Sequence, residues 1–259
     1  MRTVIKVGTS TLAHPSGNIN IRRFESLCKV ISDLKNSGQE IVLVSSGAIA
    51  MGMGKLKFAE RPTDIPTKQA AAAVGQCELM DSYERVFASY NHTTAQILIT
   101  GADLTSDERR QNFHNTVFRL LELSVLPIIN ENDTVATDEI SVGDNDSLAA
   151  IVARSLSADL LILLSDIDGL YTADPHFDKE AKIIDRVTEI TPEIIALAGG
   201  TGGKLGTGGM ATKLHAAQIT TASGIPMIIA NGERPEILYD IFEGKKVGTY
   251  FEGYRKEQI

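Results

Sequence analysis

The segment TVIKVGTSTLAHPSGNINIRRFESLCKVISDLKNSGQEIVLVSSG, residues 3–47, decides the fold. It begins with TVIKVG, an apolar run broken only by Lys6 and closed by Gly8. This reads as a central strand that delivers a lysine and then a glycine turn. A lysine in a strand also has a second reading, as a charge that blunts a sheet edge. Asn20 then caps a helix whose residues Ile21, Phe24, Leu27, Ile31 and Leu34 share one face, and Gly38 stops it. The closing EIVLVSSG, residues 40–47, is a second strand ending in small polar residues and glycine. Two successive strands that stop at glycine turns into helices are the βαβ signature of a parallel sheet. Ligands of such sheets lie beyond the carboxyl ends of the strands, where Lys6, Gly8, Thr9, Ser45, Ser46 and Gly47 collect.

The alternation continues without a break. Residues 55–66, with Pro62 and Pro66, read as a surface excursion before an alanine-rich helix over 67–90 that can pack closely. A strand over 94–100, an amphipathic helix over 107–124 and a strand VLPIIN over 125–130 follow. DLLILLSD, residues 159–166, is apolar enough to be buried on both faces of a sheet. A turn-rich loop, a short helix over 191–198, a helix over 209–223, a strand over 224–232 and a last strand near 247–251 complete the series. This is one α/β unit without a linker, with two lobes that meet near residue 155.

Between residues 130 and 146 lies NENDTVATDEISVGDND, with Glu131, Asp133, Asp138, Glu139, Asp144 and Asp146 and no Lys or Arg. A strand-to-helix connection normally takes a few residues, whereas this one uses roughly fifteen. Such crowding of like charge is either a solvated acidic loop or a site offset by a cation such as a lysine pair, a metal or a substrate amine. The interleaved Asn130, Asn132 and Asn145 exceed the needs of one helix cap.

The second anchor is GGTGGKLGTGGMATK, residues 199–213, seven of whose fifteen residues are Gly. Glycine lets backbone N–H groups approach an anion, and a helix N-terminus adds partial positive charge. A flexible loop has the same composition. The stretch departs from the P-loop pattern, because Leu205 follows Lys204. Its GTGGMA fits a dinucleotide fingerprint only out of context, since no strand leads directly into it. Lys6 and Lys213 supply positive charge from the two ends of the chain, and Asp146 is suited to hold them. These are the parts of a phosphoryl-transfer site, which needs charge and alignment more than covalent chemistry. His14, His92, His114, His176 and His215 show no ligand spacing.

A length of 259 residues, 43% apolar and 22% charged, suits a globular domain. The net charge of −8 argues against a non-specific nucleic-acid surface, which needs clustered Lys and Arg. Cys28 and Cys77 make no disulfide framework and read as reduced thiols on helices. No signal-peptide core and no apolar run of about eighteen residues is present, so the expectation is a soluble, cytoplasmic protein without a membrane partner.

KVGTS at 6–10, SSGAIAMG at 45–52, INENDTVAT at 129–137, VGDNDSLAA at 142–150, SDIDGLYTADP at 165–175 and GTGGMATK at 206–213 closely resemble the glutamate 5-kinases, a branch of the amino acid kinase family. The resemblance covers nearly the whole chain in order. It implies a three-layer αβα sandwich with an open, mainly parallel eight-stranded sheet. It further implies ATP-dependent phosphorylation of the γ-carboxylate of L-glutamate, with Mg²⁺ carried mainly on the ATP phosphates and no protein metal ligand. Lys6 and Lys213 would stabilise the migrating phosphoryl group, and Asp146 would organise both. Ser46, Asp133 and Asn145 would hold glutamate, with Asp133 on its ammonium. Ser165, Asp166, Thr207, Gly208, Gly209, Met210, Ala211, Thr212 and Lys213 would line the nucleotide site, with backbone donors near Gly8, Thr9 and Gly47. The lobes would divide as 1–155 for the amino acid and 156–259 for the nucleotide. Many members append a C-terminal PUA domain associated with RNA binding; the chain ends at Ile259, so the expectation is a single kinase domain with no nucleic-acid partner. Proline feedback and a dimeric or tetrameric assembly are further implications. Sister kinases acting on acetylglutamate, carbamate, aspartate or uridylate, a non-turning-over glutamate or nucleotide regulator, and a dinucleotide oxidoreductase are the competing readings.

Overall fold

Residues Arg2–Val7 form strand β1, and their burial on both faces follows from an apolar run whose side chains alternate between two cores. A computed structural model describes residues 1–136, 145–175, 177–198 and 209–254. After β1 come α1 (Thr9–Leu12), α2 (Ile21–Asn36), β2 (Glu40–Ser45), α3 (Ala48–Leu56), α4 (Ile65–Ala88) and β3 (Thr94–Ile99). The chain continues through α5 (Gly101–Thr105), α6 (Asp107–Glu122), β4 (Leu126–Glu131), α7 (Asn145–Ser155), β5 (Leu160–Ser165) and β6 (Arg186–Val187). It ends with α8 (Pro192–Ala198), α9 (Met210–Thr221), β7 (Met227–Asn231), α10 (Ile237–Phe242) and β8 (Thr249–Phe251).

The eight strands form one sheet in the order β3-β4-β2-β1-β5-β7-β8-β6. Every pairing is parallel except that of β7 with β8. β1 therefore lies between β2 and β5, which removes the sheet-edge reading of Lys6: its register partners are Val44 and Leu163. On one face Val4, Val44, Ile129 and Leu163 pack against α6, α7 and α9. On the other, Ile5, Leu43, Ile128 and Ile162 pack against α2, α4 and α10. This is the expected three-layer αβα sandwich.

Helix boundaries follow local chemistry. Asn20 accepts the Arg23 N–H at 3.2 Å and so caps α2. Asp64 accepts the Thr67 N–H at 2.9 Å, and with Pro66 in the first turn it starts α4 before the 67–90 expected from the alanine run. Proline is tolerated there because the first-turn N–H has no helical partner. α3 and α4 meet backbone to backbone. A Cβ on Gly52 would stand 1.8 Å from the Ala71 carbonyl oxygen, and one on Gly75 would stand 1.8 Å from that of Ala48. Cys28 is buried on α2 and Cys77 is exposed on α4. None of the described helices is long and apolar enough to cross a membrane.

Candidate active site

Parallel strands carry their carboxyl ends to one rim of the sheet, and α7 and α9 start at that rim. There the Lys6 ammonium of β1 lies 2.5 Å from Asp146 Oδ1, and the Lys213 ammonium of α9 lies 3.1 Å from Asp146 Oδ2. All three side chains are buried, Asp146 completely. The single Thr212 hydroxyl proton is shared between Asp146 Oδ2 at 3.0 Å and the Gly209 carbonyl at 2.7 Å. Burial works against the ionised Asp146 carboxylate, but the Lys6 and Lys213 charges outweigh it and hold the group below its ordinary range. Asp146 sits in the first turn of α7, where the helix dipole also favours an anion.

Beside this cluster, Asn145 Nδ2 donates towards Ser46 Oγ at 2.7 Å, the Ser45 carbonyl at 3.0 Å and Asn130 Oδ1 at 3.0 Å. Gly47 caps α3 with φ +105°, a left-handed conformation that glycine adopts without strain. Asp133 follows β4 and has no cationic partner among the described residues; burial pushes its carboxyl above the ordinary value. On the far side of β1, Ser165 ends β5 and donates to Asp166 Oδ1 at 3.0 Å. Gly8 and Thr9 form the turn from β1 into α1. Gly209 caps α9 without a side-chain acceptor; the Thr212 N–H donates to the Gly209 carbonyl at 3.2 Å, and Met210 and Ala211 contribute the remaining N–H groups of the first turn. Thr207 and Gly208 lie outside the described residues, as does His176.

The geometry thus joins Lys6, Asp146, Thr212 and Lys213 directly, and Asn145 with Ser46. It places Gly8, Thr9, Gly47, Asp133, Ser165, Asp166, Met210 and Ala211 along the same rim without joining them to that cluster, and ties Gly209 to it through Thr212. Residues absent from the sequence reading of the site are Gln76 and Tyr83 of α4 and Gln96 of β3. Asn130 Nδ2 donates to Gln76 Oε1 at 2.9 Å, Gln76 Nε2 donates to Gln96 Oε1 at 2.9 Å, and the Tyr83 hydroxyl pairs with Ser45 Oγ at 2.9 Å. A polar residue on the buried face of an alanine-rich helix is the signal that marks Gln76. Among the described residues no group of three or more His, Cys, Asp or Glu could hold a metal ion.

Residues 1–231 match the amino acid kinase family. The glutamate 5-kinase of Clostridium perfringens (strain 13 / Type A) is 52% identical over 254 residues, covering 96% of this chain and 94% of the relative. That of Enterococcus faecalis is 49% identical over 254 residues with the same two coverages, 96% and 94%. That of Caldanaerobacter subterraneus subsp. tengcongensis is 50% identical over 251 residues, covering 97% of this chain and 68% of the relative. Among solved structures, isopentenyl phosphate kinase from T. acidophilum superposes with a TM-score of 0.67 at 16% identity over 97% of this chain and 100% of that one. UMP kinase from Bacillus anthracis gives 0.64 at 17% identity over 97% and 96%. These two share the fold. The matches over nearly its whole length place the chain in the amino acid kinase family, on its glutamate 5-kinase branch.

Proposed function

We propose that the chain transfers the γ-phosphoryl group of ATP to the γ-carboxylate of L-glutamate, giving L-glutamyl 5-phosphate, the first step of proline biosynthesis. The observation that carries this reading is the pair of lysines from opposite ends of the chain held on Asp146 at the carboxyl rim of the sheet. A glutamate γ-carboxylate oxygen attacks the γ-phosphorus in line. The new P–O bond forms as the bond to the β–γ bridging oxygen breaks, and ADP leaves with that electron pair. The nucleophile is already ionised at neutral pH, so the reaction needs no general base. It needs positive charge where negative charge develops, and Lys6 and Lys213 supply it. Asp146 aims both ammoniums, and the first-turn N–H groups of α9 bind phosphate oxygens.

Ser46 and Asn145 orient the glutamate, and Asp133 receives its ammonium. That assignment suits a half-buried carboxylate with no cation beside it among the described residues. Ser165, Asp166, Thr207, Gly208 and residues Gly209 to Lys213 surround the nucleotide, with Gly8, Thr9 and Gly47 near its phosphates. The donor set fits Mg²⁺ brought by the nucleotide: the central carboxylate, Asp146, is engaged by two lysines. When bound, Mg²⁺ adds positive charge on the phosphates. Residues 1–155 form the amino-acid lobe and 156–259 the nucleotide lobe of one kinase domain. The setting is cytoplasmic, the assembly a homo-oligomer, and proline an inhibitor at the glutamate site.

ADP release with Mg-ATP tests the reading, comparing L-glutamate with N-acetyl-L-glutamate, L-aspartate and no acceptor. Dependence on L-glutamate alone is expected. Release with another acceptor would move the function to a sister kinase, and nucleotide binding without release would make the chain a regulator. A rate at low glutamate that is indifferent to millimolar-scale proline would remove the inhibition.

A further inference from the structure

Asn145 Nδ2 is engaged by Ser46, Ser45 and Asn130, which leaves Oδ1 buried and without a hydrogen-bond partner among the described residues. Which end of that amide faces its surroundings is therefore set from behind. Asn130 Oδ1 accepts from Asn145 and also from the Glu131 N–H at 2.9 Å. The other end of the Asn130 amide must then donate, and among the described residues its acceptor is Gln76 Oε1 at 2.9 Å. Gln76 in turn donates to Gln96 on the edge strand β3. Asn130 is 2% exposed and Gln76 8%, so no water shell substitutes for either contact. Tyr83, seven residues further along α4 than Gln76, supports Ser45 from the same helix.

We propose that Gln76 is a positioning residue for the amino-acid substrate: by holding Asn130 it keeps the Asn145 amide turned with Nδ2 towards Ser46, its partner in orienting the substrate. The inference rests on the glutamate reading of the site. Gln76 itself touches neither substrate nor phosphate. Removing its acceptor leaves Asn130 Nδ2 buried and unpaired, so Asn130 must turn or shift, and Asn145 loses one of the three partners that order it.

The test compares Gln76→Leu with Gln76→Glu. Leucine abolishes the acceptor, whereas glutamate retains an oxygen for Asn130 Nδ2, with the Gln96 amide reversing to donate to it. Gln76→Leu is expected to raise the KM for L-glutamate about tenfold or more while the KM for ATP stays within about twofold. Gln76→Glu is expected to recover most of that loss. A glutamate KM unchanged in Gln76→Leu, or equal rises in both KM values, would overturn the proposal while wild-type turnover left the glutamate reading intact. A second readout is independent of turnover. The side-chain amide resonances of Asn145, assigned with Asn145→Ala, should shift or broaden in Gln76→Leu and hold their positions in Gln76→Glu. Identical spectra in both variants would refute the relay even if glutamate were not the substrate.

Discussion

Lys6 and Lys213, from β1 near one end of the chain and α9 near the other, place their ammonium groups on the two oxygens of a single carboxylate, Asp146. The carboxylate lies in the first turn of α7, between the strand that carries one lysine and the helix that carries the other. Neither lysine can move without disturbing a buried charge, so the positive pair is built before any substrate arrives. Preorganised charge of this kind lowers a barrier without reorganisation during the reaction.

Removal of one lysine should therefore affect chemistry more than folding. Lys213→Ala is expected to lower kcat by about a hundredfold to a thousandfold while the far-UV circular dichroism spectrum is retained. Turnover within a few-fold of wild type in a folded variant would remove the phosphate-clamp role.

Asp146→Asn should damage both stability and rate. Two buried ammoniums lose the carboxylate they share, at a cost of about 3–5 kcal/mol read from urea midpoints at neutral pH. The folded-state pKa of Asp146 is depressed, so its contribution to stability is fully present above the unfolded-state value. That contribution is lost as pH falls through the folded-state value, because the unfolded chain binds the proton first. The gap between wild type and Asp146→Asn should accordingly narrow only in the acid limb. A gap already closing at neutral pH would contradict the assignment.

Asp133 carries the opposite perturbation. Burial raises its pKa in the free protein, and a substrate ammonium beside it would act in the opposite direction. Asp133→Asn should raise the KM for L-glutamate at least about tenfold with little change for ATP. In the wild type, glutamate affinity should fall as pH descends into the carboxylate range, and an equal change in both KM values on substitution would argue against amine recognition.

Close approach of α3 and α4 makes a fourth prediction, about support of the site. Gly52→Ala or Gly75→Ala drives a methyl into a carbonyl oxygen, and neither backbone can yield without separating the helices. Each is expected to cost about 2 kcal/mol or more in urea denaturation. Because α3 follows the Ser46–Gly47 turn and α4 carries Gln76, activity should fall before global unfolding in either variant. A change in midpoint too small to measure would mean the helices are free to part.

Much of the site was legible because its chemistry is concentrated in short stretches. Lys6 closes an apolar run, Asp146 and Asn145 begin a helix, and Lys213 lies one turn after a glycine tract, so each announces itself locally. Gln76 and Gln96 were not legible. Gln76 is a single polar residue in an alanine-rich helix, and its role depends on Asn130 of a different element standing opposite it. The edge-strand reading of Lys6 failed for a related reason: position in a sheet belongs to the pairing of strands and leaves no mark on one strand.

The sequence by itself determined the alternation of strands and helices, the glycine turns at strand ends and the supply of lysines, carboxylates and amides that follow those turns. Apolar periodicity and turn chemistry act over a few residues, and that is why they can be read directly. The tertiary structure decided the order of the strands, the antiparallel setting of β8 against β7, and the meeting of Lys6, Asp146 and Lys213. Those outcomes depend on contacts between residues far apart in the chain, selected by burial of both faces of the sheet at once. The amide relay from Gln76 to Asn145 belongs to the same class, since a buried hydrogen bond exists only once both partners have lost their water.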